Sequence, residues 1–232
     1  QELGLLRDRW ERSTEGDGQA VLISAEPGIG KSRLLLTFRE SLHAEHFTWH
    51  ECRCAALSRS SAFSPIIEFL EVGLQIQAEA SPIIRLQETE RALQAAGLDL
   101  PESIPLLAPL LDLPLQAPYA RSPYGPELKR KKTLALLANW LVALSRSQPL
   151  LLAIEDLHWA DPSTLDVIEQ LLEQLSGSRL MLIMSCRPEF RPDWDVNSIK
   201  LQSLRSREAE TMLHELVTTG ELPPAMLSLI HI

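Results

Sequence analysis

The stretch Ala20-Val21-Leu22-Ile23-Ser24-Ala25-Glu26-Pro27-Gly28-Ile29-Gly30-Lys31-Ser32 reads as a short buried strand, a glycine-bearing turn and a helix starting near Lys31. A phosphate-binding loop requires that order of parts. Successive backbone N–H groups of such a turn wrap a row of phosphates, and the helix N-terminus adds its partial positive charge. Lys31 would reach the β- and γ-phosphates of a nucleotide, and the Ser32 hydroxyl would help hold Mg²⁺. The expected nucleotide-binding set is Glu26, Pro27, Gly28, Ile29, Gly30, Lys31, Ser32 and Arg33. The underlying pattern is G-x-x-x-x-G-K-[ST], and Ala25 stands where its first glycine usually does.

Composition limits the alternatives. The chain has 232 residues, 45% of them hydrophobic, enough for one large domain with a substantial core. A net charge of −9 argues against broad nucleic-acid binding, which needs clustered Lys and Arg against the phosphate backbone. Cys52, Cys54 and Cys186 have no metal-ligand spacing and read as reduced thiols of a cytoplasmic protein. The longest apolar region, Leu134 to Leu144, is too short to span a membrane and is broken by Asn139. No secretory signal is present, and both ends read as cut from a longer chain.

Gln1 to Ser13 places Leu3, Leu6 and Trp10 at helical spacing, and Glu15-Gly16-Asp17-Gly18 turns the chain into the first strand. A helix follows the loop to about His43, and Phe47 to Cys54 alternates as a second strand. The stretch from Ala55 to Gln148 reads as a helical excursion between two strands. Ser64-Pro65 opens a helix to about Gln77, Ser81-Pro82 another ending at Gly97, and Gly125-Pro126 a long one. Between them Leu98 to Pro118 is too rich in proline for long helices. The basic run Lys129-Arg130-Lys131-Lys132 reads as a solvated helix face, with a phosphate or partner contact as the alternative.

The second landmark is Leu150-Leu151-Leu152-Ala153-Ile154-Glu155-Asp156. A continuous apolar run ending in acids is how a buried parallel strand delivers carboxylates to a sheet's C-terminal edge. A strand of this kind is expected beside the phosphate loop. Glu155 is expected to take the metal role with Ser32 and Asp156 to orient or deprotonate the attacking water; both acids are catalytic candidates, and as neighbours they can exchange these roles. Asp161-Pro162 reads as a structural helix start. His158 is close enough to the acids to sense phosphate or metal, although a lone histidine usually packs. Leu180 to Ser185 is a fourth strand, and Arg187 beyond it either stabilises charge during transfer or is held at the surface by the reversal at Pro188. Ile199 to Leu204 reads as a fifth strand, and Ser206 caps a further helix to about Thr218.

Three segments together, Glu26 to Leu34, Glu155-Asp156-Leu157-His158-Trp159-Ala160-Asp161 and Cys186-Arg187-Pro188-Glu189-Phe190, resemble the AAA-type ATPase module of STAND-class signalling NTPases. Glu51-Cys52-Arg53-Cys54 with Phe63-Ser64-Pro65-Ile66-Ile67-Glu68 resembles the subset fused to class III adenylate/guanylate cyclases in bacterial regulators. LuxR-type transcription activators carry a similar module. The resemblance implies an α/β P-loop fold, a parallel sheet flanked by helices with the insertion between the second and third strands. It also implies a switch using ATP and Mg²⁺, with ATP/ADP, other domains of its own parent chain and further copies of itself as partners. Neither nucleic acid nor membrane is expected to bind this module. The ATPase domain is expected over 1–204 with its insertion at about 55–148, and the start of a helical subdomain over 205–226. Residues 227–232 do not resemble the family and read as a non-native tail. The family's upstream Gly-Arg pair and downstream Gly-x-Pro lid fall outside the sequence. A non-hydrolysing protein-interaction scaffold on the same fold, and a nucleic-acid motor, are the alternatives.

Overall fold

The apolar runs become parallel strands in the computed structural model, which describes residues 1–56, 63–73, 80–115, 119 and 122–202. The strands are β1 (Gln19–Ser24), β2 (Thr48–Arg53), β3 (Leu150–Glu155), β4 (Leu180–Cys186) and β5 (Asn197–Lys200). They form one sheet in the order β2-β3-β4-β1-β5, every pairing parallel. β3 and β4 are buried along their whole length, as a sheet covered on both faces demands.

Strand alternation sorts the core into two layers. Val21, Ile23, Leu151, Ala153, Met181 and Ile183 face α1 (Glu2–Thr14) and α2 (Lys31–Ser41), meeting Trp10, Leu35 and Phe38. Leu22, Leu152, Ile154, Leu182 and Met184 face the other way. There they meet α3 (Ser64–Gly73), α4 (Pro82–Ala95), α5 (Leu100–Leu107), α6 (Pro126–Leu144) and α7 (Pro162–Glu173). Helices α3 to α6 are the expected insertion between the second and third strands. α5 has eight residues and contains Pro105, in keeping with a tract too broken for long helices.

Two expectations change. β3 does not lie beside β1, because β4 stands between them. Each face of β4 is apolar, so the strand belongs at the centre of the sheet, and nothing local in the sequence orders three such runs. The fifth strand begins at Asn197 rather than Ile199 and ends at Lys200, because it pairs only with Val21 to Ser24. Leu201 N–H then closes onto the Ser24 carbonyl at 3.0 Å. The end of the helix expected to reach Gln77, Ser203 and Leu204, the Ser206 helix and residues 205–232 lie outside the described residues.

The entry to β1 is tight. A Cβ on Gly18 would lie 2.2 Å from the Leu175 carbonyl oxygen, where the chain after α7 passes and Asp17 bridges Ser176. The basic run is partly consumed within the protein. Arg130 pairs with Asp166, and Lys132 pairs with Glu102 at 2.5 Å and sits 4.8 Å from the Tyr124 ring centroid.

Asp161 starts α7 and does more. Its buried carboxylate accepts from Ser163 N–H at 2.9 Å and Thr164 N–H at 3.1 Å, and from the Thr164 hydroxyl at 2.5 Å. It also accepts from Phe63 N–H at 3.1 Å, so the insertion is tied to α7 where α3 begins. Asp161→Ala is expected to cost about 2–4 kcal/mol, a lost N-cap plus buried donors left unpaired. The shift of the urea midpoint measures it, with Asp161→Asn losing less because one acceptor oxygen survives.

Candidate nucleotide and metal site

Parity along the strands decides which groups meet. Ala153 faces the α1–α2 layer, so Glu155, two residues on, does too. β2 pairs with β3 so that Arg53 stands opposite Glu155, and the first turn of α2 supplies Ser32. Ser32 Oγ donates to Glu155 Oε2 at 2.5 Å, across 123 positions of chain. Arg53 Nη2 donates to Glu155 Oε1 at 2.9 Å and to Ser32 Oγ at 3.4 Å, while Nε lies 3.6 Å from Asp156 Oδ2. The Glu155 side chain is 5% exposed and that of Asp156 34%.

Arg53 is the group that sequence reasoning missed as a site residue. Its only local signal is its place at the end of a strand, between the inward-turned Cys52 and Cys54. Both thiols are free, and burial pushes that of Cys54 up to about 12, so neither acts as a nucleophile or soft ligand at neutral pH.

The loop turns at its two glycines. Gly28 and Gly30 have φ of +80° and +103°, the left-handed region in which glycine carries no penalty. Ala25 is not among the positive-φ residues. It is buried, and its N–H donates to the Cys186 carbonyl at 3.2 Å, continuing the strand. A methyl group is therefore harmless at the motif's first position. Lys31 Nζ donates to the carbonyls of Ala25 at 2.7 Å and Glu26 at 3.2 Å, which holds the ammonium against the loop. Glu26, Pro27 and Arg33 are exposed, and Ile29 is half-buried.

The intercalated β4 contributes at its C-terminal end. Asp156 takes a left-handed conformation, φ 56° and ψ 41°, and its N–H donates to the buried Ser185 hydroxyl at 3.2 Å. The chain continues as a short 3₁₀ turn, Leu157–Trp159. There the His158 ring lies 5.1 Å from that of Trp159, and the Arg187 guanidinium sits 5.7 Å over the Trp159 ring. Burial lowers the His158 pKa, with the positive charge of Arg187 acting in the same direction. The structure thus brings Lys31, Ser32, Glu155 and Asp156 to one edge of the sheet, with Arg187 one residue beyond the strand that touches the loop.

Ser32 and Glu155 present hard oxygen donors of the kind Mg²⁺ selects, 2.5 Å apart at the start of α2. The two glycines and the N-terminus of α2 supply a row of N–H groups suited to phosphates. The residues fit a magnesium–nucleotide complex.

A family model described as AAA ATPase domain matches residues 1–183. An uncharacterised protein of Rhizobium meliloti (strain 1021) is 26% identical over 198 residues, covering 83% of this chain and 18% of that protein. The chain thus spans less than a fifth of that curated relative's length. Among solved structures, Cdc6p from Pyrobaculum aerophilum superposes with a TM-score of 0.52 at 14% identity, over 94% of this chain and 48% of that one. Drosophila ORC, solved bound to DNA, superposes with a TM-score of 0.53 at 11% identity, over 92% of this chain and 44% of that one. At such identities the likeness is one of fold.

Proposed function

Because the chain belongs to the AAA ATPase domain family, we propose that it is an ATP-binding, slowly hydrolysing switch module of a bacterial signal-transduction or transcriptional regulator. The meeting of Ser32 and Glu155 at 2.5 Å, beside a loop that carries Lys31, supports this best. Two distant segments, each weak evidence alone, supply complementary halves of one site.

The geometry supports one division of labour. Backbone N–H groups of the loop and the Lys31 ammonium bind the phosphates, and Ser32 and Glu155 hold Mg²⁺. When bound, that ion neutralises charge on the phosphates. Arg53 pairs with both acids, at 2.9 Å from Glu155 and 3.6 Å from Asp156, and so offsets their charge. Asp156, more exposed than Glu155, orients the attacking water and accepts its proton. Arg187 stabilises charge on the transferred group from the end of β4.

The signalling role rests on the resemblance carried by Glu155 to Asp161 and Cys186 to Phe190, and the cyclase-linked subset on Glu51 to Cys54 and Phe63 to Glu68. On this reading the module works within a longer parent chain, and the ATP-bound state favours assembly with other copies. A role on DNA is disfavoured by the net charge of −9 and by the pairing of Arg130 and Lys132 within the protein.

Asp156→Asn tests the hydrolytic assignment. It is expected to retain MgATP affinity within about threefold and to slow phosphate release by about 10²-fold, the worth of a general base. Unchanged release in single-turnover assays would move that role to another group.

A further inference from the structure

A buried carboxylate needs partners for both of its oxygens, because its charge is costly away from water. The Glu155 side chain, 5% exposed, has them from two sides. The Ser32 hydroxyl gives its one proton to Oε2 at 2.5 Å, and Arg53 Nη2 donates to Oε1 at 2.9 Å. The same Nη2 reaches Ser32 Oγ at 3.4 Å, so one guanidinium touches both of the residues assigned to the metal. Its hold on Asp156 is looser, with Nε 3.6 Å from Oδ2. The three groups come from the end of β2, the first turn of α2 and the end of β3, and the parallel register of β2 on β3 sets Arg53 opposite Glu155. They differ in freedom. Glu155 is enclosed, whereas the Arg53 side chain is 59% exposed and belongs to neither core layer, so it can swing out without disturbing the sheet.

We propose that Arg53 is the resident counter-cation of this site, pairing with Ser32 and Glu155 in competition with the divalent ion, so that the ion enters together with a nucleotide and not alone. This rests on the nucleotide-site reading above and deepens it. A dication and a guanidinium on one carboxylate repel each other at short range, and a partly buried pair is screened little by salt. The metal by itself must therefore drive Arg53 off Glu155 into water and lose the ion pair. A metal that arrives with phosphates brings anions with which the released guanidinium can pair in turn. Arg53 is thus a positioning residue for the metal ligands. In the nucleotide-free protein it also keeps a buried carboxylate from standing uncompensated.

The experiment titrates the chain with Mn²⁺ alone, a paramagnetic probe that takes the same hard oxygen ligands as Mg²⁺, and reads the bound ion by electron paramagnetic resonance. The proteins are wild type, Arg53→Met, which keeps much of the side chain's length without its charge, and Arg53→Lys, which keeps a charge. Arg53→Met is expected to bind Mn²⁺ about tenfold more tightly than wild type, and Arg53→Lys to stay within about threefold of it, in the range usual for two coupled ligands. Removing a residue that only braces the fold would not tighten metal binding. Glu155→Gln in the Arg53→Met background is expected to abolish the gain. Equal or weaker Mn²⁺ binding by Arg53→Met overturns the proposal, as does a gain that survives Glu155→Gln, since the ion would then sit elsewhere. A separate titration of wild type with MgATP keeps the two readings apart. A chain that does not bind MgATP loses the nucleotide site and the proposal with it; one that binds MgATP while Arg53→Met gains no Mn²⁺ loses the proposal alone.

Discussion

Lys31→Ala is expected to lower MgATP affinity by about 10²–10³-fold, the largest functional loss of any single substitution in the site. On the proposed assignment the ammonium would make charge-assisted contacts with two phosphates, each worth about 1.5–3 kcal/mol. The fold should survive. Among the described residues the Lys31 ammonium bonds the carbonyls of Ala25 and Glu26, and the side chain belongs to neither core layer, so its removal leaves both untouched. Isothermal titration measures the loss, and a thermal midpoint within a few degrees of wild type shows that the protein is intact. Equal affinity in the two proteins would remove the phosphate loop from the site.

Gly18→Ala is expected to have the largest effect on stability. The added Cβ would lie 2.2 Å from the Leu175 carbonyl oxygen and 2.6 Å from Ser178 Oγ. Ser178 could rotate away, but the carbonyl is fixed by Ser178 N–H at 3.0 Å and by the end of α7 before it. Either β1 or the α7–β4 connection must shift, at a cost of about 3 kcal/mol, the upper range for overpacking. For a chain of this size that lowers the melting temperature by about 6–12 °C. Gly4→Ala is the control. It lies within α1 with nothing within 4 Å of a new Cβ, and alanine is the better helix former there by up to about 1 kcal/mol. A Gly18→Ala protein as stable as wild type would show that the contact at Leu175 relaxes freely.

What the sequence made legible was local. Gly28, Gly30 and Lys31 between an apolar run and a helix, Leu150 to Glu155 ending in acids, and Asp161-Pro162 each state their conformation within a dozen residues. The structure keeps all three. What stayed hidden depends on partners far along the chain. The order of β1, β3 and β4 could not be read because each is a featureless apolar run on both faces, and the order emerges only from how the helices cover them. Arg53 could not be assigned because its meaning lies in the register that sets it opposite Glu155. The start of β5 was misplaced because an edge strand's limits are set by the neighbour it pairs with, here Val21 to Ser24, rather than by its own hydrophobicity.

Position 156 is constrained twice. The proposed chemistry calls for a carboxylate, and its backbone, at φ 56° and ψ 41°, admits few residue types without strain. Asparagine, aspartate and glycine tolerate that conformation; alanine, and still more valine or isoleucine, do not. An evolutionary step away from aspartate at this site therefore has one easy exit that keeps the side chain's shape. Asparagine preserves the turn and removes the acid. On the proposed assignment, a single such change would turn a hydrolysing module into a nucleotide-holding scaffold with its fold undisturbed, so within a lineage the two kinds of module can lie one substitution apart.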